Sequence, residues 1–171
     1  MAGNKYLSNN AGAITEVAGI QSSAGAGDAG KIPAVDSTGR LDSTFMPVGV
    51  SVETDSITTS ESLSAGDLVN IYASSGTKCR KADGSTNGKE AHGFVLAGSS
   101  SPGPATVYRT SQSNTQKTSM TPGAIQYLSD TVPGGTMETA PTTAGHTVQM
   151  VGIAKSDTEM IFQPRIGIVL A

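Results

Sequence analysis

Several groups of residues in this chain have the type and spacing to do chemistry. Gly25, Gly27 and Gly30 spell G-x-G-x-x-G, the pattern that lets a strand–turn–helix unit cradle a pyrophosphate. Here Ser and Ala precede it, and Pro33 falls within the first turns of the helix it requires, so the stretch reads as a flexible linker. Asp83 to Gly88, DGSTNG, opens like a calcium-binding loop. The twelfth position of such a loop is a bidentate Glu; here it is Phe94, inside an apolar run, and a hairpin turn is the better reading. His92 and His146 each precede an apolar run, but a zinc site needs a third ligand close by. The two do not occupy equivalent places in the internal repeat of residues 65–164, so both read as strand-edge histidines. Cys79 sits beside Lys78, Arg80 and Lys81, cations that can lower a thiol pKa. No His adjoins it, and it reads as an inert, partly buried thiol. No G-x-S-x-G is present. Aromatic residues are 4% of the chain, too few for the platforms that accompany a glycosidase carboxylate pair. The expectation is a protein without catalytic residues, bound metal or cofactor.

The elements that would carry any site are short. The chain has 171 residues, with 21 Gly, 8 Pro and no Trp. That composition favours many turns between short strands. A core built from Val, Ile, Leu, Ala and Met is expected, completed by oligomerisation. Net charge is −3 and 15% of residues are charged. With no basic block, binding to a nucleic-acid backbone is not expected. The single cysteine excludes an intrachain disulfide. No signal-peptide core and no apolar run of membrane-spanning length is visible, so a soluble protein made in a cytoplasm is expected.

From Ala65 to Pro164 the sequence is written twice, as a weak repeat of roughly 55 residues. AGDLVNIYA, AHGFVLAG and ATVYRTS in the first copy answer PGAIQYLSD, VQMVGIAKS and EMIFQPR in the second. Gly66 matches Gly123, Gly93 matches Gly152, and Val107-Tyr108 matches Ile161-Phe162. Strands are expected at 52–57, 68–72, 77–82, 93–97, 106–109, 125–128, 136–139, 148–154, 160–163 and 165–170. Phe94 and Val95 are expected in core positions like those of Gly152 and Ile153. Before residue 51 the pattern changes. Ile14, Val17 and Ala18 have the spacing of one or two helical turns. Ser22 to Gly30 has linker composition. Lys31 to Val50 is extended, because its prolines forbid a long helix, with one helical turn at Leu41 to Phe45 capped near Asp42 or Ser43. Spaced apolar residues mark this arm as an adhesive segment; Ile32, Leu41, Phe45 and Met46 are its expected anchors.

Two stretches resemble known proteins. GDAGKIPAVDSTGRLDSTFMPVGV, Gly27 to Val50, resembles a segment common in tailed-bacteriophage virion proteins, near the base of head-decoration and fibre proteins. Tyr127 to Pro164 resembles a β-rich module of the same proteins, in its YLS start, PGG turn, APT segment, VQ-VG-A strand and apolar-Phe ending. The resemblance implies a non-enzymatic capsid decoration (cement) protein on the outer surface of the virion head. It would be made in the host bacterial cytoplasm and bind the phage major capsid protein, without nucleic acid or membrane as partner. It also implies a homotrimer on a local three-fold axis, or alternatively a dimer on a two-fold. The alternative function is a short head or tail fibre that binds host-surface glycan. The expected architecture is an all-β barrel or tulip-like sandwich over residues 51–171, preceded by an extended, mostly irregular capsid-binding arm over residues 1–50.

Overall fold

The computed structural model describes residues 5–46 and 53–171. Pro47 and Val52, which belong to the expected arm and the expected first strand, lie outside the described residues. The chain divides into two units, residues 1–51 and 52–171.

The first unit opens with a hairpin of strands β1 (Lys5–Asn10) and β2 (Ala13–Ala18), paired in unbroken register from Lys5↔Ala18 to Asn10↔Ala13. The helical turns expected from Ile14, Val17 and Ala18 do not form. Ala11 and Gly12 take φ of 51° and 91°, the paired positive values of a two-residue hairpin turn. Ile14, Thr15 and Val17 are β-branched and lose rotamer freedom in a helix. The turn chemistry therefore outweighs the spacing. The stretch from Ser22 to Gly30 is not a free linker either. Ala26–Asp28 is a 3-10 turn, and the Asp28 carboxylate accepts from the Ala24 N–H at 2.6 Å and from the Lys31 ammonium at 2.6 Å. A second 3-10 turn, Ser43–Phe45, has Asp42 as its N-cap, in agreement with the turn expected there.

The second unit is all-β. Strands β3 (Thr54–Thr59), β4 (Leu68–Ala73), β5 (Thr77–Lys81), β6 (Gly93–Val95) and β7 (Gly103–Tyr108) form a closed barrel in the order β3-β5-β4-β6-β7. All neighbours are antiparallel except β3 and β5, whose short parallel pairing closes the barrel. Strands β8 (Ser113–Asn114), β9 (Ile125–Leu128), β10 (Thr136–Met137), β12 (Met150–Ala154) and β13 (Met160–Phe162) form an open sheet in the order β10-β9-β12-β13-β8. Strand β11 (Thr147–Val148) pairs separately with β14 (Ile168–Val169).

Read from β5 around to β3, the barrel order is β5-β4-β6-β7-β3, which is the order of the open sheet strand for strand. The duplicated sequence therefore folds to a duplicated topology, closed once and left open once. Two glycine pairs show how local chemistry repeats. Gly66 and Gly123 both hold positive φ, 88° and 84°, just before β4 and β9. A Cβ on Gly93 would sit 2.7 Å from the Tyr108 carbonyl, and one on Gly152 would collide with the Ile161 carbonyl, so both let the following hairpin strand approach closely. The strand pairing shifts the correspondence by one residue beyond β6: Val95 faces Val107 as Ile153 faces Ile161.

The halves differ in what covers that row. In the closed barrel, Ile57, Leu63, Val69, Cys79, Val95, Ala105 and Val107 make an interior cluster, and Val95 is fully buried. In the open sheet Ile153 is 38% exposed. The expectation that Ile153 is core is thus overturned, because no closure wraps that face. The second cluster lies between barrel and sheet. Leu68 and Phe94 meet Leu128, Val151, Ala154, Met160 and Phe162 there. The core is largely the aliphatic one expected, with Phe94 and Phe162 added to it. Phe94 stacks on Tyr108 at 5.4 Å and meets Phe162 edge-on at 5.5 Å, so three of the seven Phe and Tyr residues meet at the seam joining the two halves. Each such pair contributes about 0.5–1.5 kcal/mol beyond its area burial.

Candidate functional site

Cys79, His92, His146 and Asp83 are each held by neighbouring groups. The Cys79 thiol is buried, and burial pushes its pKa up, the Thr59 hydroxyl notwithstanding; it is a barrel-interior apolar group rather than a nucleophile. His92 Nδ1 accepts from the Ile71 N–H at 3.0 Å, and His146 Nδ1 lies 2.9 Å from Asp130 Oδ2. Asp83 is occupied by its own loop: Oδ1 accepts from the Ser85 N–H and hydroxyl at 2.9 and 2.6 Å. Burial pushes this carboxyl up, but the bonds from Ser85 and the charge of Lys89 outweigh it and hold it below the usual range. No group of three His, Cys, Asp or Glu residues with metal-binding geometry occurs among the described residues.

The arm is different in kind. Among its described residues, 5–46, none is buried, yet the chain is tied together by backbone and Asp-centred hydrogen bonds. Ile20 and Pro33 form a β-bridge, with the Ile20 N–H donating to Ile32 O at 3.0 Å and the Ala34 N–H to Ile20 O at 2.8 Å. The sequence VDSTGRLDSTF carries the same device twice. Asp36 Oδ1 accepts from the Thr38 N–H and hydroxyl, both at 2.7 Å. Asp42 Oδ1 accepts from the Thr44 N–H at 2.9 Å and hydroxyl at 2.7 Å. The Thr44 hydroxyl oxygen in turn accepts from the Ser23 N–H at 2.8 Å, which pins the second turn to the start of the glycine-rich stretch. The Thr38 and Thr44 hydroxyls are the leading causes that hold Asp36 and Asp42 below the usual carboxylate range, and the Lys31 ammonium does the same for Asp28.

These turns present the expected anchors. Ile32 follows the Asp28–Lys31 pair, Leu41 follows the Asp36 turn, and Phe45 and Met46 close the Asp42 turn. Ile32 is 49%, Leu41 47% and Met46 44% exposed, and Phe45 is half-buried. Leu7, Ile14 and Val35 are more exposed still, at 73%, 65% and 51%. The turn capped by Asp42 is the one expected; an Asp two residues before a Thr is the signal of an Asx turn and locates the Asp36 turn by the same device. The described part of the arm thus presents apolar side chains on a scaffold of hydrogen-bonded turns.

In the second unit, Glu90, His92, Arg109, Gln149, Arg165 and Ile166 line an open cleft of about 500 Å³. Gln149 is fixed at its floor, accepting from the Ala91 N–H at 2.7 Å and donating to Ala91 O and Arg165 O. Arg109 is engaged with Asp55. Comparison with known proteins gives no family model and no curated protein that matches this chain.

Proposed function

We propose that this chain is a non-enzymatic decoration protein of a phage head, which binds the outer surface of the capsid through its arm and clamps neighbouring major capsid subunits. The observation that carries the reading is the coreless arm. A segment whose described residues, 5–46, include no buried side chain recovers little of its ordering entropy by itself, and a lone two-stranded hairpin is marginal in water. Large apolar side chains held out on such a segment gain most when another surface covers them. The sequence resemblance of residues 27–50 and 127–164 to virion proteins supplies the identity of that surface. The β unit supplies bulk and contacts with other copies, and several arms acting together raise one another's effective concentration.

A short fibre binding host glycan asks for a sugar site. The cleft beside Arg165 offers polar groups and one carboxylate but no Phe, Tyr or Trp ring for a sugar to stack on, which favours decoration. Counting copies in purified virions tests it. Many copies spread over the head are expected, and a small set confined to one vertex or to the tail defeats it.

A further inference from the structure

Strand β14 and its flanks form an edge that no described strand of the second unit covers. Between Ile166 and Ala171 there is no charged side chain and no proline. Ile166, Ile168 and Val169 are 92%, 67% and 43% exposed. Natural sheets blunt such an edge with charge, proline or a bulge, because free N–H and C=O groups template further strand pairing. Among the described residues, one side of β14 is paired, by β11, and the other has no strand on it. The Leu170 N–H donates to His146 O, Leu170 O accepts from the Gly145 N–H, and the Thr147 N–H is spent on Gly84 O. Leu170 and Ile168 therefore face β11. By the alternation of an antiparallel ladder, Gly167 and Val169 turn their N–H and C=O groups outward.

Those outward groups are palindromic about Ile168, and so are the side chains, with Ile166 and Leu170 placed symmetrically on either side. We propose that this edge pairs with the same edge of a second copy, antiparallel about a two-fold axis through Ile168. Gly167 and Val169 then exchange hydrogen bonds with Val169 and Gly167 of the other copy. Ile168 meets its counterpart, and each Ile166 meets the other copy's Leu170. The result is a continuous four-stranded β11-β14-β14-β11 sheet, an isologous contact in which one patch is its own complement. Glycine at 167 also leaves room for the Thr147 and Glu90 side chains, which would lie 2.8 and 3.0 Å from a Cβ there, so the strand lies flat on the unit and its outer edge is left free. The proposal concerns the free protein and stands or falls independently of which surface the arm binds; of the two oligomers that the virion resemblance implies, it selects the dimer.

The test uses the full chain. Sedimentation velocity should give a dimer at micromolar concentrations. Ile168→Lys sets two ammonium groups against each other at the axis and should weaken association about tenfold or more, while circular dichroism stays unchanged because this side chain is already solvent-facing. Ile168→Cys is the independent arm. A non-hydrogen-bonded antiparallel pair sets its Cα atoms about 4.5 Å apart, within disulfide range, and the one native thiol is buried. Under mild oxidation Ile168→Cys should therefore form a covalent dimer much faster than Val132→Cys, a control with a similarly exposed side chain at 60%. A wild type that stays monomeric overturns the proposal. So does an oligomer indifferent to Ile168→Lys, or cross-linking of the Ile168→Cys protein no faster than that of the Val132→Cys control.

Discussion

Val95 and Ile153 occupy equivalent places in the two copies of the sheet, and replacing each by Asp separates the closed copy from the open one. Val95 is fully buried, packed with Ile57, Val69, Cys79 and Val107 in the barrel interior. A carboxylate there has no partner, and the barrel must either bury the charge or protonate it. The loss is on the order of 4–5 kcal/mol, against about 5–15 kcal/mol for the whole stability of a typical domain. Ile153 is already 38% exposed. Asp at that position keeps its hydration, and the cost is the remaining apolar burial, about 1–2 kcal/mol. Urea titration of the full chain, followed by circular dichroism, reads both. Val95→Asp should be largely unfolded or strongly shifted, and Ile153→Asp should fold with a modestly lower midpoint. Equal losses at the two sites would refute the argument, since they would mean that the second copy encloses its face as the first does.

Other outcomes follow from the same structure. Gly152→Ala should cost more stability than Gly123→Ala in thermal melts: a Cβ at 152 collides with the Ile161 carbonyl, whereas at 123 it meets open space and carries only the cost of positive φ, about 1 kcal/mol. Asp28, Asp36 and Asp42 are held below their ordinary value of 3.8, so their contribution is complete above that pH and is lost as pH falls through the lower folded values. Amide protection factors in residues 20–46, each taken relative to the intrinsic exchange rate at the same pH, should therefore fall on acidification below about pH 4, before those of the β unit change. Burial lowers the half-buried Lys117 to about 8, against the attraction of Asp67. A lysine shifted down disfavours the fold while charged, so stability should rise between pH 8 and 10.5, and Lys117→Met should raise neutral-pH stability and abolish that rise.

Much of this fold was legible in the sequence, for a physical reason. In the second unit the strands are short apolar runs cut by Gly, Ser and Asp, and period and punctuation together locate them: Ile125–Leu128 falls where expected, and β4 and β5 meet across the Ser74–Gly76 turn. The repeat was visible because close-approach glycines leave no alternative residue. What failed were features set by long-range pairing. Nothing local in Ile153 says that its sheet stays open, since closure depends on β3 reaching β5 while β8 and β10 are only two residues each. Strand β8 carries no apolar signal and exists because β13 offers it an edge. In the arm, a helical spacing was outweighed by the Ala11-Gly12 turn, whereas the turn capped by Asp42 formed where expected; what stayed hidden was that Asp36 and Asp42 hold their turns by the same bonds to Thr38 and Thr44. The exposed anchors themselves were legible, because large apolar residues in a polar, proline-punctuated segment have no core to join.

The most direct test of the central claim is binding to heads. Phage heads assembled without this protein are mixed with the full chain, with a truncation lacking residues 1–30, and with one lacking residues through Pro47, and the co-sedimenting fraction of each is measured. The full chain should bind. The shorter truncation should bind more weakly, because it retains Ile32, Leu41, Phe45 and Met46 but loses the hairpin and the Asp28 turn. The longer truncation should keep its β spectrum and not bind at all. Full-strength binding by the protein lacking residues through Pro47 would contradict the account and move the contact to the β unit.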